Sequence, residues 1–269
     1  LGEAARPNSV SSTAGLPACT EGDVVVLPFN DVAACEALIA AHADELAAVI
    51  VDPLSTAAGL ALPEDGFLAR LRELTDRVGA LLVFDEIVSF RFGPGGTHRA
   101  YGVRPDLVCL GKVVSGGTPG AVFGGRADVL DLYDPAGGPQ IQQSGTFNAN
   151  PIAMVAGLQT LKALTEEAYA QMGALAQQAG EGLAAAFAEA AVKARVVVAG
   201  SMLRIYFLDR APRNFREAAR DDAQMQRWLF FALLNRGIYT RMGGHVSLVT
   251  EEGHVDEWVQ GVREVLRVL

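Results

Sequence analysis

Short apolar runs that alternate with amphipathic segments are the feature that most limits the fold of this chain. The apolar runs lie at residues 24–27, 47–51, 81–84, 107–110 and 121–123. Between the first three runs, apolar residues recur every three or four positions over residues 35–46 and 67–78, which predicts two helices. Strands that are apolar on both faces must be covered on both sides. The alternation therefore predicts an α/β fold with a mainly parallel sheet flanked by helices.

The pattern changes near residue 165. One helix is predicted to start near residues 150–151 and to run past Leu164, and another to cover roughly residues 167–193. Short strands are predicted at residues 196–198, 203–208 and 246–249. A further helix turns Met225, Trp228, Leu229 and Ala232 inward, and the last helix has an apolar stripe of Val255, Trp258, Val259, Val262, Val265, Leu266 and Leu269. We therefore predict a large domain over residues 1–165 and a smaller C-terminal α+β domain over residues 166–269.

The composition disfavours several classes of function. The formal net charge of -9 leaves no basic surface that could follow a nucleic-acid backbone. No apolar stretch reaches the roughly 18 residues that a membrane span needs, so we expect no membrane insertion. The three cysteines form no CxxC pair, and their odd number suits reduced thiols in a cytoplasmic protein. No two of the four histidines have the spacing of metal ligands on one helix, so we expect no metal site.

Two acidic residues follow apolar runs directly. Asp52 ends the run at residues 47–51, and Asp85 ends the run at residues 81–84. In parallel sheets, ligands bind beyond the carboxyl ends of the strands. On position alone, Asp85 suits a structural ion pair or a helix cap as well as it suits a partner for a protonated ring nitrogen or a metal.

Lys112 stands between an apolar run and a pair of glycines. The glycines around it permit a planar ligand to approach the backbone, and burial or a nearby cation would make the amine a nucleophile. A phosphate-binding P-loop is disfavoured because Val113 follows the lysine and the upstream glycine spacing fails. A lysine for a Schiff base and an acid for a pyridinium proton are the groups that pyridoxal 5′-phosphate (PLP) needs, and Lys112 and Asp85 supply them.

A series of short motifs makes the resemblance specific. In order, they occupy residues 83–87, 89–91, 95–96, 101–107, 111–112 and 124–126, and a second block covers residues 144–151. This series resembles the core signature of the class III PLP-dependent aminotransferases, which have fold type I. Within that family the chain is most similar to the glutamate-1-semialdehyde 2,1-aminomutase branch. Weaker similarity extends from about residue 20 to the carboxyl terminus.

The resemblance implies a role for four residues. Lys112 would be the catalytic residue, forming the Schiff base with PLP and moving a proton between the substrate α-carbon and the cofactor. Asp85 would bond the pyridine nitrogen, and Ile87 would pack against a face of the ring. Thr146, with nearby backbone amides at a helix start, would bind the cofactor phosphate of the neighbouring subunit. The resemblance therefore also implies a homodimer.

Two features depart from the family's pattern. Many class III aminotransferases have Gln at the position of Val88, where it bonds the ring hydroxyl of the cofactor, but the aminomutase branch lacks that Gln as well. The family's first portion supplies a Gly-rich phosphate loop and an aromatic side chain that stacks on the ring, and neither is visible here. Leu1 aligns with the middle of the family's large domain. We therefore expect the large domain to be incomplete at its N-terminus and the chain to be a trimmed or partial sequence.

Two arginines are candidates for binding a substrate carboxylate, because guanidinium suits a two-point contact. For Arg91, the preferred interpretation is a structural hydrogen bond behind the site. Arg241 lies in the stretch where relatives place substrate-facing residues, and it stays a candidate substrate-binding residue.

Three functions stay open. The leading hypothesis is an aminotransferase that moves an amino group between a small amino acid or amine and an oxo acid or aldehyde. The second is a glutamate-1-semialdehyde-type 2,1-aminomutase, which returns the amine to a neighbouring carbon of the same molecule. The third is a non-catalytic fragment or relative with the same fold, although the intact pair of Asp85 and Lys112 argues against loss of activity.

Overall fold

The first sheet has four strands among the residues that the structure describes. The computed structural model describes residues 2–11, 13–138 and 141–268. The strands are β1 (Ala48–Val51), β2 (Leu81–Asp85), β3 (Leu107–Gly111) and β4 (Ala121–Gly125), in the order β1-β2-β3-β4. The pairs β1–β2 and β2–β3 are parallel, whereas β4 runs antiparallel to β3. The predicted strands at residues 47–51, 81–84, 107–110 and 121–123 are confirmed, within a sheet that is mixed at one edge.

The apolar run at residues 24–27 is not a strand, and that prediction was wrong. These residues have no regular secondary structure and pair with none of the described strands. The Val24 amide donates instead to Glu21 O, at 3.5 Å, in the turn that ends the preceding helix. Val24 and Val26 stay exposed, so a run of β-branched residues alone does not specify a strand partner.

Ten α-helices occur among the described residues: α1 (Ala18–Gly22), α2 (Val32–Ala41), α3 (Phe67–Val78), α4 (Gly96–Ala100), α5 (Ala127–Leu130), α6 (Pro151–Ala163), α7 (Glu166–Glu189), α8 (Phe215–Ala218), α9 (Ala223–Leu234) and α10 (Glu252–Leu266). The helix α3 illustrates how the sheet is covered. It begins after Gly66 and ends at Gly79, both of which have left-handed backbone conformations. Its apolar face, including Leu71 and Leu74, packs on Leu82 in the main core beside the sheet. None of the described helices is long and apolar enough to span a membrane.

A second sheet lies in the C-terminal part. It consists of β5 (Arg195–Ala199), β6 (Met202–Tyr206) and β7 (Gly243–His245), all antiparallel, in the order β5-β6-β7. Its core is built from α7, α9 and α10, with Leu183, Phe187, Val262 and Val265 almost completely buried. The separate core agrees with the predicted α+β unit, while the division at residue 165 stays a prediction.

The predicted strand at residues 246–249 was wrong in its position. The strand ends at His245, and the chain then turns, with the Ser247 amide donating to Thr250 Oγ1 at 3.0 Å. Val249 is 81% exposed, so the apolar residues of this run do not share one buried face. The predicted last helix is confirmed over Glu252–Leu266, and Leu269 lies outside the described residues.

Two sets of hydrogen bonds join the C-terminal part to the first sheet. Arg91 Nε donates to Ser201 Oγ at 3.0 Å, and its Nη2 donates to the Val246 carbonyl oxygen at 2.5 Å. Tyr206 Oη donates to the carbonyl oxygen of Gly59, in the loop after β1. The preferred interpretation of Arg91 as a structural residue is confirmed by these contacts.

Candidate active site

Lys112 begins a one-turn 3₁₀ helix directly after β3. Its φ of 51° lies in the left-handed region, which is uncommon for a residue other than glycine. Such strain costs about 1–3 kcal/mol and is retained mainly where a function needs the conformation. The Lys112 side chain is exposed, and its Nζ makes no hydrogen bond or salt bridge within residues 2–11, 13–138 and 141–268. The turn therefore presents an amine that has no protein partner there.

Small residues hold the Lys112 turn against α6. Gly116 ends the turn with a φ of 60°, and a Cβ atom there would overlap the carbonyl group of Ala156 on α6. On the other side of the contact, a Cβ atom at Gly157 would lie 2.5 Å from the carbonyl oxygen of Val114. Ser115 Oγ also donates to the Gly120 carbonyl oxygen at 2.5 Å. These contacts fix the turn that carries the lysine.

Asp85 is the last residue of β2, the strand next to β3. It pairs in register with Cys109, three residues before Lys112. Its Oδ1 accepts a hydrogen bond from the Ile87 amide at 3.1 Å, and no salt bridge neutralises it in the described part of the chain. Because β2 and β3 are parallel, the carboxylate and the amine leave the sheet at the same edge.

Ile87 and Val88 follow Asp85 and belong to different surroundings. A Cβ atom at Gly111 would lie 3.3 Å from Ile87 Cγ2, so Ile87 packs over the backbone just before Lys112. Val88 packs instead into a small apolar cluster with Leu54. The structure therefore places Asp85, Ile87 and Lys112 at the ends of the neighbouring strands β2 and β3, and their roles stay a prediction.

Glu86 supports this arrangement, and sequence reasoning assigned it no role. It is completely buried and accepts hydrogen bonds from the amides of Thr97 and His98, at 2.9 and 3.0 Å. The Nδ1 atom of His98 lies 2.9 Å from the same carboxylate. The left-handed Gly96 leaves room for the carboxylate, which a Cβ atom there would overlap. The signal in the sequence was an acidic residue one position after Asp85, followed by a Gly-Gly-Thr segment.

Asp52 is a further carboxylate at the same edge of the sheet. It follows β1 and accepts hydrogen bonds from the Leu54 amide at 3.1 Å and the Thr56 amide at 2.7 Å. The Thr56 hydroxyl also donates to it. Burial raises the pKa of Asp52, and the negative charge of Asp85 raises this pKa further. The two carboxylates therefore act on each other electrostatically.

Thr146 and Arg241 make no described hydrogen bond or salt bridge with this group. Thr146 is exposed in a turn before α6, whose first amides are capped by the Asn150 side chain. Arg241 is exposed on the wall of a cavity of about 600 Å³, which Thr56, Arg204 and His245 also line. None of the described hydrogen bonds or salt bridges joins Thr146 or Arg241 to Asp85 or Lys112.

His245 is a second residue to which sequence reasoning assigned no role. It ends β7 in the C-terminal part, next to Val246, whose carbonyl oxygen accepts the hydrogen bond from Arg91. Burial lowers the pKa of His245, and the positive charges of Arg91 and Lys112 lower this pKa further. His245 therefore stands close enough to Lys112 to sense its charge. Among the described residues, no group of three or more His, Cys, Asp or Glu side chains could hold a metal ion.

Comparisons with known proteins agree with this geometry. The family model "Aminotransferase class-III" matches residues 8–266. A glutamate-1-semialdehyde 2,1-aminomutase from Roseiflexus castenholzii is 39% identical over 259 residues, which cover 94% of this chain and 59% of the relative. The protein of the same name from Desulforudis audaxviator is 39% identical over 265 residues, covering 98% of this chain and 61% of the relative.

Solved structures show the same similarity. An omega-transaminase from Sphaerobacter thermophilus superimposes with a TM-score of 0.92 at 37% identity, covering 98% of this chain and 63% of that chain. A glutamate-1-semialdehyde aminomutase variant from Pseudomonas aeruginosa PAO1 in complex with PMP superimposes with a TM-score of 0.80 at 31% identity. That match covers 90% of this chain and 56% of the other. The chain thus spans about three fifths of the length of the relatives it matches (59% and 61% for the two curated proteins).

Proposed function

Because this chain belongs to the class III aminotransferase family, we propose that it transfers an amino group between a small amino acid or amine and an oxo acid or aldehyde, with PLP as cofactor. The family and the fold type I architecture predicted from the sequence are confirmed by the comparisons. One observation carries the proposal. The Lys112 amine and the Asp85 carboxylate leave neighbouring parallel strands at one edge of the sheet. Neither group is paired with an opposite charge in the described part of the chain.

The residues present fit the cofactor. Lys112 would hold PLP through a Schiff base, and Asp85 would accept the hydrogen bond of the protonated pyridine nitrogen. Asp85 receives one backbone amide and has acceptor capacity left for that bond. Ile87 offers an apolar surface beside the same edge. When bound, PLP supplies an electron sink that makes the bonds of the substrate α-carbon easier to break.

Lys112 would also move a proton. Its Nζ atom would act as the base and then as the acid, taking the proton from the substrate α-carbon and returning it to the carbon that the reaction protonates. The left-handed backbone at Lys112 and the tight contact of its turn with α6 fix where the side chain begins. Arg241 is our candidate for binding a substrate carboxylate, since guanidinium makes two parallel hydrogen bonds to that group.

The alternative function is an aminomutase of the glutamate-1-semialdehyde type, which two of the relatives are named for. Asp85 and Lys112 would serve both reactions in the same way. Incubating the protein with a single substrate and no acceptor separates the two, because a mutase isomerises the compound repeatedly. An aminotransferase stops after one half-reaction.

We further propose a homodimer, in which Thr146 binds the cofactor phosphate of the partner subunit. Residues 141–149, around Thr146, are exposed. The following helix α6 leaves large apolar side chains in solvent: Ile152, Met154, Val155, Leu158 and Leu161. A helix that is apolar all round is normally buried, so this face favours a second copy as its partner. Light scattering should give the mass of a dimer, and Leu158→Glu should give a monomer. A monomeric wild type at micromolar concentration would contradict the proposal.

Two further features of the proposal concern organisation and location. We propose the division into a PLP-binding domain at residues 1–165 and a C-terminal domain at residues 166–269, because each has its own sheet and core. We propose a cytoplasmic enzyme, since Cys19, Cys35 and Cys109 are all free thiols.

Borohydride reduction of the PLP-treated protein tests the function directly. The chain has three lysines, Lys112, Lys162 and Lys193, so peptide mass spectrometry can assign the reduced cofactor to one of them. We expect visible absorbance of lysine-linked PLP and a label on Lys112, both lost in Lys112→Ala. Lys193, which pairs with Asp209 at 3.0 Å on the surface, provides the matched control Lys193→Ala. Absence of both signals from the wild type would favour the non-catalytic alternative.

A further inference from the structure

Asp52 and Asp85 occupy equivalent positions on neighbouring strands. In the parallel pair β1–β2, Val51 lies opposite Phe84, and the next residues of the two strands are Asp52 and Asp85. Neighbouring strands are about 4.8 Å apart, so the two backbones place both carboxylates at the edge where Lys112 also lies. Sequence position alone had identified both residues as strand-end acids, and the proposed function uses only Asp85.

The carboxylate of Asp52 is held in one orientation. The amides of Leu54 and Thr56 and the hydroxyl of Thr56 donate to it from a loop that turns sharply. Within that loop Ser55 and Leu60 have positive φ values of 45° and 76°. Residues other than glycine keep such conformations only where the surrounding structure enforces them, which it often does at functional sites.

The pair of carboxylates forms no salt bridge with a cation in the described part of the chain. None of the described salt bridges includes Asp52 or Asp85. Burial raises the pKa of Asp52 and that of Cys109 on β3, and the negative charge of Asp85 raises both pKa values further. From the C-terminal part, Arg204 and Arg241 line the cavity that reaches Thr56, and Tyr206 bonds to the loop at Gly59. Two like charges so close are unfavourable until a cation joins them.

We propose that Asp52 is a positioning residue for the cofactor ring. Asp52 and Asp85 form a carboxylate pair, and one protonated ring nitrogen neutralises this pair. This inference rests on the proposed function, because the ring nitrogen belongs to PLP. Asp85 is the direct hydrogen-bond acceptor in this arrangement. Asp52 acts through it, by adding a second negative charge that keeps the proton on the nitrogen.

Replacing Asp52 by Asn removes the charge and keeps the size. Asn also keeps one acceptor oxygen, which can serve either the Leu54 amide or the two Thr56 donors, since these bond to different oxygens of Asp52. In the PLP-loaded full chain, we expect the pH titration of the visible absorbance to move down by about 0.5–1 pH unit, because the protonated form loses a stabilising charge. Equilibrium dialysis should show PLP binding weakened about threefold to tenfold. Asp65→Asn, at an exposed aspartate away from the strand ends, is the matched control and should change neither quantity.

Thr56→Val is a second variant that leaves the carboxylate in place. Without the hydroxyl donor, Asp52 ionises less readily and carries less negative charge. The pH titration of the visible absorbance should therefore move down, as with Asp52→Asn, but by a smaller amount. If Asp52→Asn and Thr56→Val titrate like the wild type, the inference is wrong, while the Lys112 label shows that the proposed function still holds.

Carbon-13 NMR of the aspartate carboxyl groups without PLP distinguishes a failure of the proposed carboxylate pair from a failure of the proposed function. We expect Asp85→Asn to lower the pKa of Asp52, since the charge that raises this pKa is gone. An unchanged Asp52 titration would overturn the carboxylate pair whatever the outcome with PLP. A wild type that shows the coupled titration but never forms lysine-linked PLP would overturn the proposed function, and with it the role of Asp52 toward the ring.

Discussion

The contact between the Lys112 turn and α6 can be tested with two neighbouring glycines. Gly116 and Gly117 both have left-handed backbones, with φ values of 60° and 82°. A Cβ atom at Gly116 would overlap the Ala156 carbonyl group, whereas a Cβ atom at Gly117 would meet nothing within 4 Å. Alanine substitution at both positions therefore has the same backbone cost and differs only in the collision with the helix.

The expected loss of stability in each variant follows from the backbone conformation and from the collision with α6. The left-handed conformation costs alanine about 1–2 kcal/mol, so Gly117→Ala should lower the free energy of unfolding by that amount. Gly116→Ala adds overpacking against a backbone group that cannot rotate away, for about 1–3 kcal/mol more. With a denaturant slope of roughly 2–3 kcal/mol per molar urea, the difference between the two midpoints should be about 0.3–1.5 M.

Urea unfolding followed by circular dichroism measures both variants against the wild type. Borohydride trapping of PLP on each variant shows whether the lysine keeps its position, and we expect the larger loss of label in Gly116→Ala. Equal midpoints for the two variants would refute the argument, because the turn would then not be held by its approach to α6.

Three further outcomes are expected. Glu86→Gln should lower the free energy of unfolding, measured by urea titration, by about 2–4 kcal/mol, because the buried acceptor loses its charge and one oxygen. The control Glu73→Gln, at an exposed residue, should change the free energy of unfolding by less than about 0.5 kcal/mol. Burial raises the pKa of Cys35 from 9.0 to about 12, so its contribution to stability is complete below pH 9 and is lost as the pH rises from 9 towards 12. Alkylation of the native protein at pH 8 should therefore label the exposed Cys19 and spare Cys35, as checked by mass spectrometry. Arg91→Met should leave the Val246 carbonyl oxygen without its donor and so lower the stability of the C-terminal part. Limited proteolysis should then cut the C-terminal part of the variant faster than that of the wild type. An unchanged proteolysis pattern would contradict this prediction.

Periodicity predicted most of the elements, because burial on both faces leaves a strong signal in the sequence. The strands at residues 81–84 and 107–110 were recognisable since their apolar residues are continuous. The run at residues 24–27 is just as apolar, but its Val24 amide bonds to a turn and none of its residues pairs with a described strand. The direction of β4 was equally invisible, because pairing direction depends on the connection between strands and not on their residues.

Part of the candidate site could likewise be predicted from the sequence, and part could not. Asp85 and Lys112 could be predicted together, because the ends of neighbouring parallel strands meet at one edge whatever the side-chain details. Glu86 depends on where residues 96–98 return to it, and the charge coupling of Asp52 to Asp85 depends on the register of β1. Such contacts form between residues distant in sequence, so local patterns carry little information about them.

The packing of α6 links the lysine to the proposed dimer. Its small residues approach the Lys112 turn, and its large apolar side chains face away from the turn into solvent. A second copy that covers those side chains would also stiffen the turn behind them. Binding of PLP and dimer formation should therefore strengthen each other, since a ligand that binds one state stabilises it by mass action. The fraction of dimer in sedimentation should rise when PLP is added, and Leu158→Glu should weaken PLP binding although Leu158 lies on the far side of the helix from the turn. A PLP affinity that does not change with protein concentration or with this substitution would show that the two faces of α6 act independently.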